Sequence, residues 1–209
     1  LIAWLRSLLE SGEARGEEIL AITFTNKAAT EMAERLKQEL NSTSLNRHSS
    51  NLTICTFHSL CYNLLRERKP EINQVYAEAD RLLLLRLLLP DKGASQIKVI
   101  SRQIEKHFEK GADTGSGQTY TEDFDRTFAD YKKFLTQSHS VDVAELVARV
   151  NRLLQSDGEF LKRIQKRFRF IAVDEFQDIN RAQYDFLAYC LGKKQPLDKA
   201  AGRKAMLLI

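Results

Sequence analysis

The densest chemistry in the chain lies in Arg169-Phe170-Ile171-Ala172-Val173-Asp174-Glu175-Phe176-Gln177-Asp178. Phe170 to Val173 is an apolar run that reads as a short strand buried on both faces. It ends abruptly at two carboxylates, Asp174 and Glu175. Acids at the carboxyl end of a parallel strand sit where open α/β sheets bind ligands. Paired there, one acid can hold Mg²⁺ and its neighbour can orient or deprotonate a water, the Walker B arrangement of phosphoryl transfer. For a bare Asp-Glu pair a solvated acidic turn is the simpler reading; here Gln177 and Asp178 follow the pair. Two other apolar runs end in polar groups. Thr23, Phe24, Thr25 and Asn26 close the first, and Thr56, Phe57 and His58 close the second. Hydroxyl and amide groups at a helix start suit phosphate oxygens, and an aromatic such as Phe24 can stack a nucleobase. On residue type alone Phe24 is core, and a lone His58 is a structural histidine.

Those residues need elements to position them. Leu1, Trp4, Leu5, Leu8 and Leu9 recur at helical spacing until Gly12 and Gly16 break the pattern. Ile19 to Thr25 reads as a buried strand, and Asn26 as the N-cap of a helix carrying Ala28, Ala29, Met32, Ala33, Leu36 and Leu40. Leu52 to Thr56 is a second strand, followed by a helix that ends before Pro70. Strand, helix, strand, helix is the βαβ rhythm of a parallel sheet. Between about 71 and 167 only helical patterns are expected, with a Gly/Ser/Thr-rich loop from Gly111 to Thr119 and a capping box of Thr119 and Glu122. The α/β rhythm resumes at Arg169. Asn180 and Gln183 form a second capping box, and the helix they open leads through a Lys-rich loop to a terminal strand at 205–209. The expected architecture is α/β, an incomplete parallel sheet interrupted by an all-helical insertion. The sheet domain takes 1–68 and 168–209, and the insertion 69–167.

Composition sets bounds on this. The chain has 209 residues, 43% hydrophobic, with 32 basic and 28 acidic side chains and a net charge of +4. This permits nucleic-acid binding without requiring it. The leucine-rich run at 82–89 is interrupted by Arg86, so no segment suits a membrane span, and no signal peptide is visible. Cys55, Cys61 and Cys190 match no zinc spacing and read as reduced thiols, which predicts a cytoplasmic protein. The first residue is Leu1, already in helical pattern, and the last five are apolar, so an excised piece of a longer chain is expected. Lys162, Arg163, Lys166, Arg167 and Arg169 form a basic cluster, most simply a solvated helix face and alternatively a DNA contact.

Three strings resemble one family in order. Val-Asp-Glu-Phe-Gln-Asp-Ile-Asn-Arg-Ala-Gln-Tyr is similar to motif II of superfamily 1 DNA helicases of the UvrD/Rep/PcrA group. Ala-Ile-Thr-Phe-Thr-Asn-Lys-Ala-Ala-Thr-Glu-Met resembles motif Ia, and Thr-Ile-Cys-Thr-Phe-His-Ser-Leu-Cys resembles motif Ib. The resemblance implies a RecA-like P-loop NTPase subdomain, 1A, carrying a helical subdomain, 1B. It implies ATP and Mg²⁺ as cofactors, with Asp174 as the metal ligand and Glu175 activating water. Gln177 and Asp178 would link the nucleotide site to neighbouring motifs. Thr23, Phe24, Thr25, Asn26, Thr56 and His58 would follow single-stranded DNA. It further implies 3′→5′ movement on single strands and single/double-strand junctions, repair or replication proteins as partners, and a monomeric fragment.

No Gly-x-x-x-x-Gly-Lys-Ser/Thr occurs in the 209 residues, so this stretch alone is expected not to hydrolyse ATP. Alternatives are the helicase part of a helicase–nuclease, a non-enzymatic DNA-binding module on a degenerate motor fold, and a P-loop ATPase unrelated to nucleic acid. The last leaves the motif Ia and Ib matches as accidents.

Overall fold

A computed structural model describes residues 1–41, 51–110, 121–192 and 205–208. In chain order the elements are α1 (Ile2–Glu10), β1 (Ile19–Thr23), α2 (Asn26–Asn41), β2 (Thr53–Thr56), α3 (Phe57–Arg68), β3 (Gln74–Tyr76), α4 (Glu78–Leu88) and α5 (Ala94–Lys110). They continue with α6 (Glu122–Gln137), β4 (Ser140–Asp142), α7 (Leu146–Ser156), α8 (Gly158–Arg167), β5 (Phe170–Val173), α9 (Arg181–Leu191) and β6 (Ala205–Leu208). The chain packs as two units, Leu1–Leu60 with Asn151–Ile209, and Cys61–Val150.

The first unit is an α/β layer around a parallel sheet of order β2-β1-β5-β6. All five residues of β1 and all four of β5 are buried, which explains their unbroken apolar runs: a parallel strand covered on both faces has no polar side to alternate with. On one face Ile19, Ala21, Phe170 and Ala172 pack with Leu5, Leu8 and Leu9 of α1 and Met32, Leu36 and Leu40 of α2. Burying each large aliphatic there contributes roughly 1.5–3 kcal/mol. The chain leaves β1 to one side for β2 and returns on the other for β5. The crevice between β1 and β5 is therefore a topological switch point, where such sheets hold ligands.

The second unit is helical around Leu84, Leu85, Ile97, Ile104, Phe108, Phe124, Tyr131 and Leu135. The expectation of helices alone needs correcting. β3 and β4 pair in parallel, Val75 opposite Val141. Each is three residues long, too short for a period of two to stand out in sequence. The strand pairing brings Asp142 to a wholly buried position, where it accepts two hydrogen bonds from Arg81 Nη1 (2.8 and 3.0 Å) and one from the Tyr131 hydroxyl (2.6 Å). Arg81 Nε donates to Ser101 Oγ at 2.9 Å. The α6 start also differs: Thr121, not Thr119, is the cap, its hydroxyl accepting the Phe124 N–H at 3.3 Å. Thr119 and the expected loop at 111–119 lie outside the described residues.

Candidate functional site

The sheet register brings the three polar strand ends to one edge. Thr23 lies opposite Thr56, and Ile22 opposite Val173, so the residues after β1, β2 and β5 emerge side by side. The Asp174 N–H donates to the Ile22 carbonyl at 2.9 Å, carrying the β1–β5 ladder one step past the strand. Asp174 is thereby fixed at the mouth of the switch-point crevice, half-buried. Glu175 follows, exposed, with φ 52° and ψ 47°. A left-handed backbone on a residue with a side chain costs about 1 kcal/mol or more and concentrates at functional sites. The turn is held from behind: the Asp178 N–H donates to the Glu175 carbonyl at 3.0 Å, and the Gln177 side-chain amide donates to Glu175 Oε2. Next, α9 is fixed at both ends. Asn180 and Gln183 exchange capping bonds of 3.0 and 2.9 Å, as their spacing predicts, and Gly192 closes the helix at φ 72°.

Asp174 forms part of the wall of a recess of about 400 Å³, shared with the start of α1 and with Glu31 and Arg35 of α2. Among the described residues no cation pairs with the Asp174 or Asp178 carboxylate, and no cluster of three or more potential metal ligands occurs. Free oxygen donors without a full protein cage fit Mg²⁺, which binds through one or two carboxylates and completes its shell with water and substrate phosphates. They do not fit zinc. A wider groove of about 1370 Å³ among α7, α8 and α9 is lined by the later part of the motif, from Phe176 and Gln177 to Tyr184, and not by Asp174 or Glu175. Its single acid, Asp185, is tied to Arg181 at 2.9 Å, whereas the Asp174 carboxylate on the recess has no cation partner among the described residues.

Around β1 and β2 the polar residues divide into two groups. Phe24 is 62% exposed, so its ring is not core. Thr25, Asn26 and His58 are also exposed. Thr23 and Thr56 are buried and turned inward. The Thr23 hydroxyl donates to the Thr25 carbonyl at 3.0 Å; Thr56 Oγ1 accepts the Ser59 N–H at 3.2 Å and donates to Ser59 Oγ at 2.9 Å. The side chains of these two threonines shape the turns. Thr25, not Asn26, caps α2, accepting the Ala28 N–H at 3.1 Å; Asn26 stands one residue too far in. Its side chain instead receives the Ser59 hydroxyl at 3.5 Å. Ser59 is a residue that sequence reasoning missed, although a hydroxyl three residues after Thr56 at a helix start is a recognisable signal. Although His58 reaches solvent, partial desolvation in its turn lowers its pKa below the ordinary 6.5, which favours the neutral imidazole with one N–H to donate.

In the basic cluster Lys162, Arg163, Lys166 and Arg167 are exposed, and Arg169 is half-buried. Arg163 lies over Phe160 at 4.9 Å and Arg167 over Phe168 at 4.8 Å. Arg169 lies over Phe170 at 5.4 Å and pairs with Glu18 at 2.9 Å. These residues lead into the amino end of β5, the edge opposite Asp174. Cys55 is half-buried, and desolvation pushes its thiol up to about 11 despite nearby Arg167, which disfavours the thiolate at neutral pH.

Parallel strands ending together, with an Asp-Glu pair on one and helix-starting polar turns on the next two, define a RecA-like α/β domain. The chain belongs to the UvrD/REP helicase family, whose N-terminal domain matches residues 1–197. It is 32% identical to DNA helicase II of Haemophilus influenzae over 209 aligned positions, covering 92% of this chain and 28% of that protein. It is 33% identical to ATP-dependent DNA helicase PcrA of Bacillus subtilis, covering 79% of this chain and 24% of that protein. With DNA helicase II of Escherichia coli the identity is 29%, covering 91% and 27%. The chain thus spans about a quarter of the length of these relatives. Among the described residues no helix is long and apolar enough to cross a membrane.

Proposed function

We propose that the chain is the N-terminal motor portion of an ATP-dependent DNA helicase or translocase that moves 3′→5′ on single-stranded DNA. Residues 1–68 and 168–209 would be subdomain 1A and residues 69–167 subdomain 1B. The observation that supports this best is the shared edge: Asp174 and Glu175 leave β5 beside the turns of β1 and β2, with Phe24 held out in solvent.

In this reading Asp174 would hold Mg²⁺, directly or through water, and the ion would supply charge to neutralise the triphosphate. Glu175 orients the attacking water and accepts its proton. Gln177 and Asp178 join this site to the rest of the edge. Phe24 stacks a base, Thr25, Asn26 and neutral His58 donate to the sugar–phosphate backbone, and Thr23 and Thr56 hold the two turns that present them. Since β1 sits between β2 and β5, a shift in one turn is felt by the other two, which couples nucleotide to strand. Single/double-strand junctions are the substrates, and repair or replication proteins the partners.

The test is ATP hydrolysis by the complete protein with and without single-stranded DNA, beside Glu175→Gln. Stimulation by DNA that disappears in the variant supports the motor reading. Hydrolysis indifferent to DNA removes the roles given to Phe24 and His58. Tight DNA binding with no hydrolysis supports a non-enzymatic binding module. Residues 1–209 alone, with no P-loop sequence, are expected to show no turnover.

A further inference from the structure

We propose that Gln177 is a positioning residue that acts through Glu175, fixing the carboxylate so that one oxygen alone faces the attacking water. This rests on the reading of Glu175 as the water-activating acid. In hydrolysis the water oxygen bonds to the γ-phosphorus while the bond from phosphorus to the β–γ bridging oxygen breaks; the water proton passes to the carboxylate, and ADP and phosphate leave.

Three features place Gln177 in that role. Its side-chain amide donates to Glu175 Oε2, leaving Oε1 as the free acceptor. Glu175 has a left-handed backbone at φ 52°, and an exposed side chain on such a turn has little packing to hold it. Gln177 lies within a turn closed by the Asp178 N–H on the Glu175 carbonyl at 3.0 Å and followed by the capped start of α9. A neutral amide is also the suitable donor. It orients the carboxylate without the positive charge of Lys or Arg, which would weaken it as a base.

Two measurements test this. On residues 1–209, the Gln177 side-chain amide resonances should lie apart from those of solvent-exposed glutamines and move to the exposed position in Glu175→Ala. On the complete protein, Gln177→Ala and Gln177→Glu should both lower DNA-stimulated kcat by about tenfold to hundredfold, with KM for ATP and affinity for a fluorescent ATP analogue within about twofold of wild type. Gln177→Glu has the same shape but no donor, so equal loss in the two variants separates orientation from space-filling. An unchanged kcat, or a loss of nucleotide affinity parallel to the loss of kcat, overturns the proposal. If Glu175→Gln itself retains turnover, the broader reading of the site has failed. If Glu175→Gln is dead and Gln177→Ala active, only the role of Gln177 has failed.

Discussion

The Ser59 hydroxyl reaches Asn26 Oδ1 at 3.5 Å, joining the start of α3 to the start of α2 across 33 residues of sequence. The same Ser59 shares hydrogen bonds with Thr56 in both directions. Thr56 is therefore both the cap of α3 and the anchor of this polar bridge. Thr56→Ala should destabilise the chain by about 1 kcal/mol, the usual cost of a lost N-cap. Thr56→Ser, which keeps the oxygen, should restore most of it. Urea melts of the two variants decide the matter.

Phe24 offers the opposite combination. At 62% exposure its ring adds little to the fold, so Phe24→Ala should leave the melting midpoint almost unchanged. If the ring stacks a base, the same variant should weaken single-stranded DNA binding by roughly 1–3 kcal/mol, with no sequence preference. Fluorescence anisotropy with a labelled oligonucleotide reads the second effect. A variant that loses stability and keeps DNA affinity would make Phe24 a structural residue.

How much of this could be read from sequence varied with element length and with local signal. β1 and β5 were legible because both faces are buried and their apolar runs are unbroken. The α9 capping box was legible because Asn180 and Gln183 carry their own geometry. The caps of α2 and α6 were misplaced by one and two residues, since Thr25 and Asn26, or Thr119 and Thr121, are equivalent by residue type and only the backbone chooses between them. The β3–β4 pair was hidden by length. Arg81, in a leucine-rich helix, gave no sign that it is buried, because its partner Asp142 lies 61 residues away. For Phe24 the residue type pointed inward, and only the motif resemblance pointed outward.

Arg81 and Asp142 are 1% and 0% exposed at the side chain. Removing Asp142 leaves the buried Arg81 guanidinium with only the Ser101 hydroxyl and the more distant, partly exposed Glu105 at 3.6 Å. Asp142→Ala should therefore destabilise by about 3–5 kcal/mol. Replacing both residues with apolar side chains of similar volume should recover much of that loss, since the pair itself contributes little net stability. Burial, with the Asp142 charge beside it, raises the Tyr131 phenol well above its ordinary value, so no alkaline transition from Tyr131 is expected below the pH at which the fold is lost. Denaturant unfolding of the single and double variants tests the argument.

Glu18 and Arg169 are 151 residues apart in sequence and meet at 2.9 Å, and the Arg169 N–H donates to the Glu18 carbonyl at the same distance. Burial raises the Glu18 pKa, but the Arg15 N–H and the Arg169 and Arg15 guanidinium groups outweigh it, so the net direction is below the ordinary 4.5. A carboxylate depressed in the folded state contributes stability that is fully present above its unfolded pKa and is lost as pH falls through the folded value. The chain should therefore weaken below about pH 4.5, and Glu18→Gln should flatten that acid limb while lowering stability at pH 7. Melts between pH 3 and pH 7 would show it; a parallel offset at every pH would mean that another carboxylate governs the limb.

Glu175 is a place where stability and function should pull apart. Its φ of 52° costs an ordinary side chain conformational energy that glycine does not incur. Glycine also raises the entropy of the unfolded chain by up to about 1 kcal/mol, so the two effects work against each other. Glu175→Gly should come out within about 1 kcal/mol of wild type in stability, where replacing a tightly held residue would cost more. Glu175→Val, which keeps a Cβ and adds branching, should be destabilised by at least that amount, because a branched side chain fits the left-handed region worst. On the proposed role of Glu175 neither variant could activate water, and both should abolish DNA-stimulated hydrolysis in the complete protein. The comparison needs only thermal melts of residues 1–209 and a turnover assay on the complete protein. Equal stability of the glycine and valine variants would show that the left-handed turn relaxes at little cost, and that strain at Glu175 plays no part in holding its carboxylate in place.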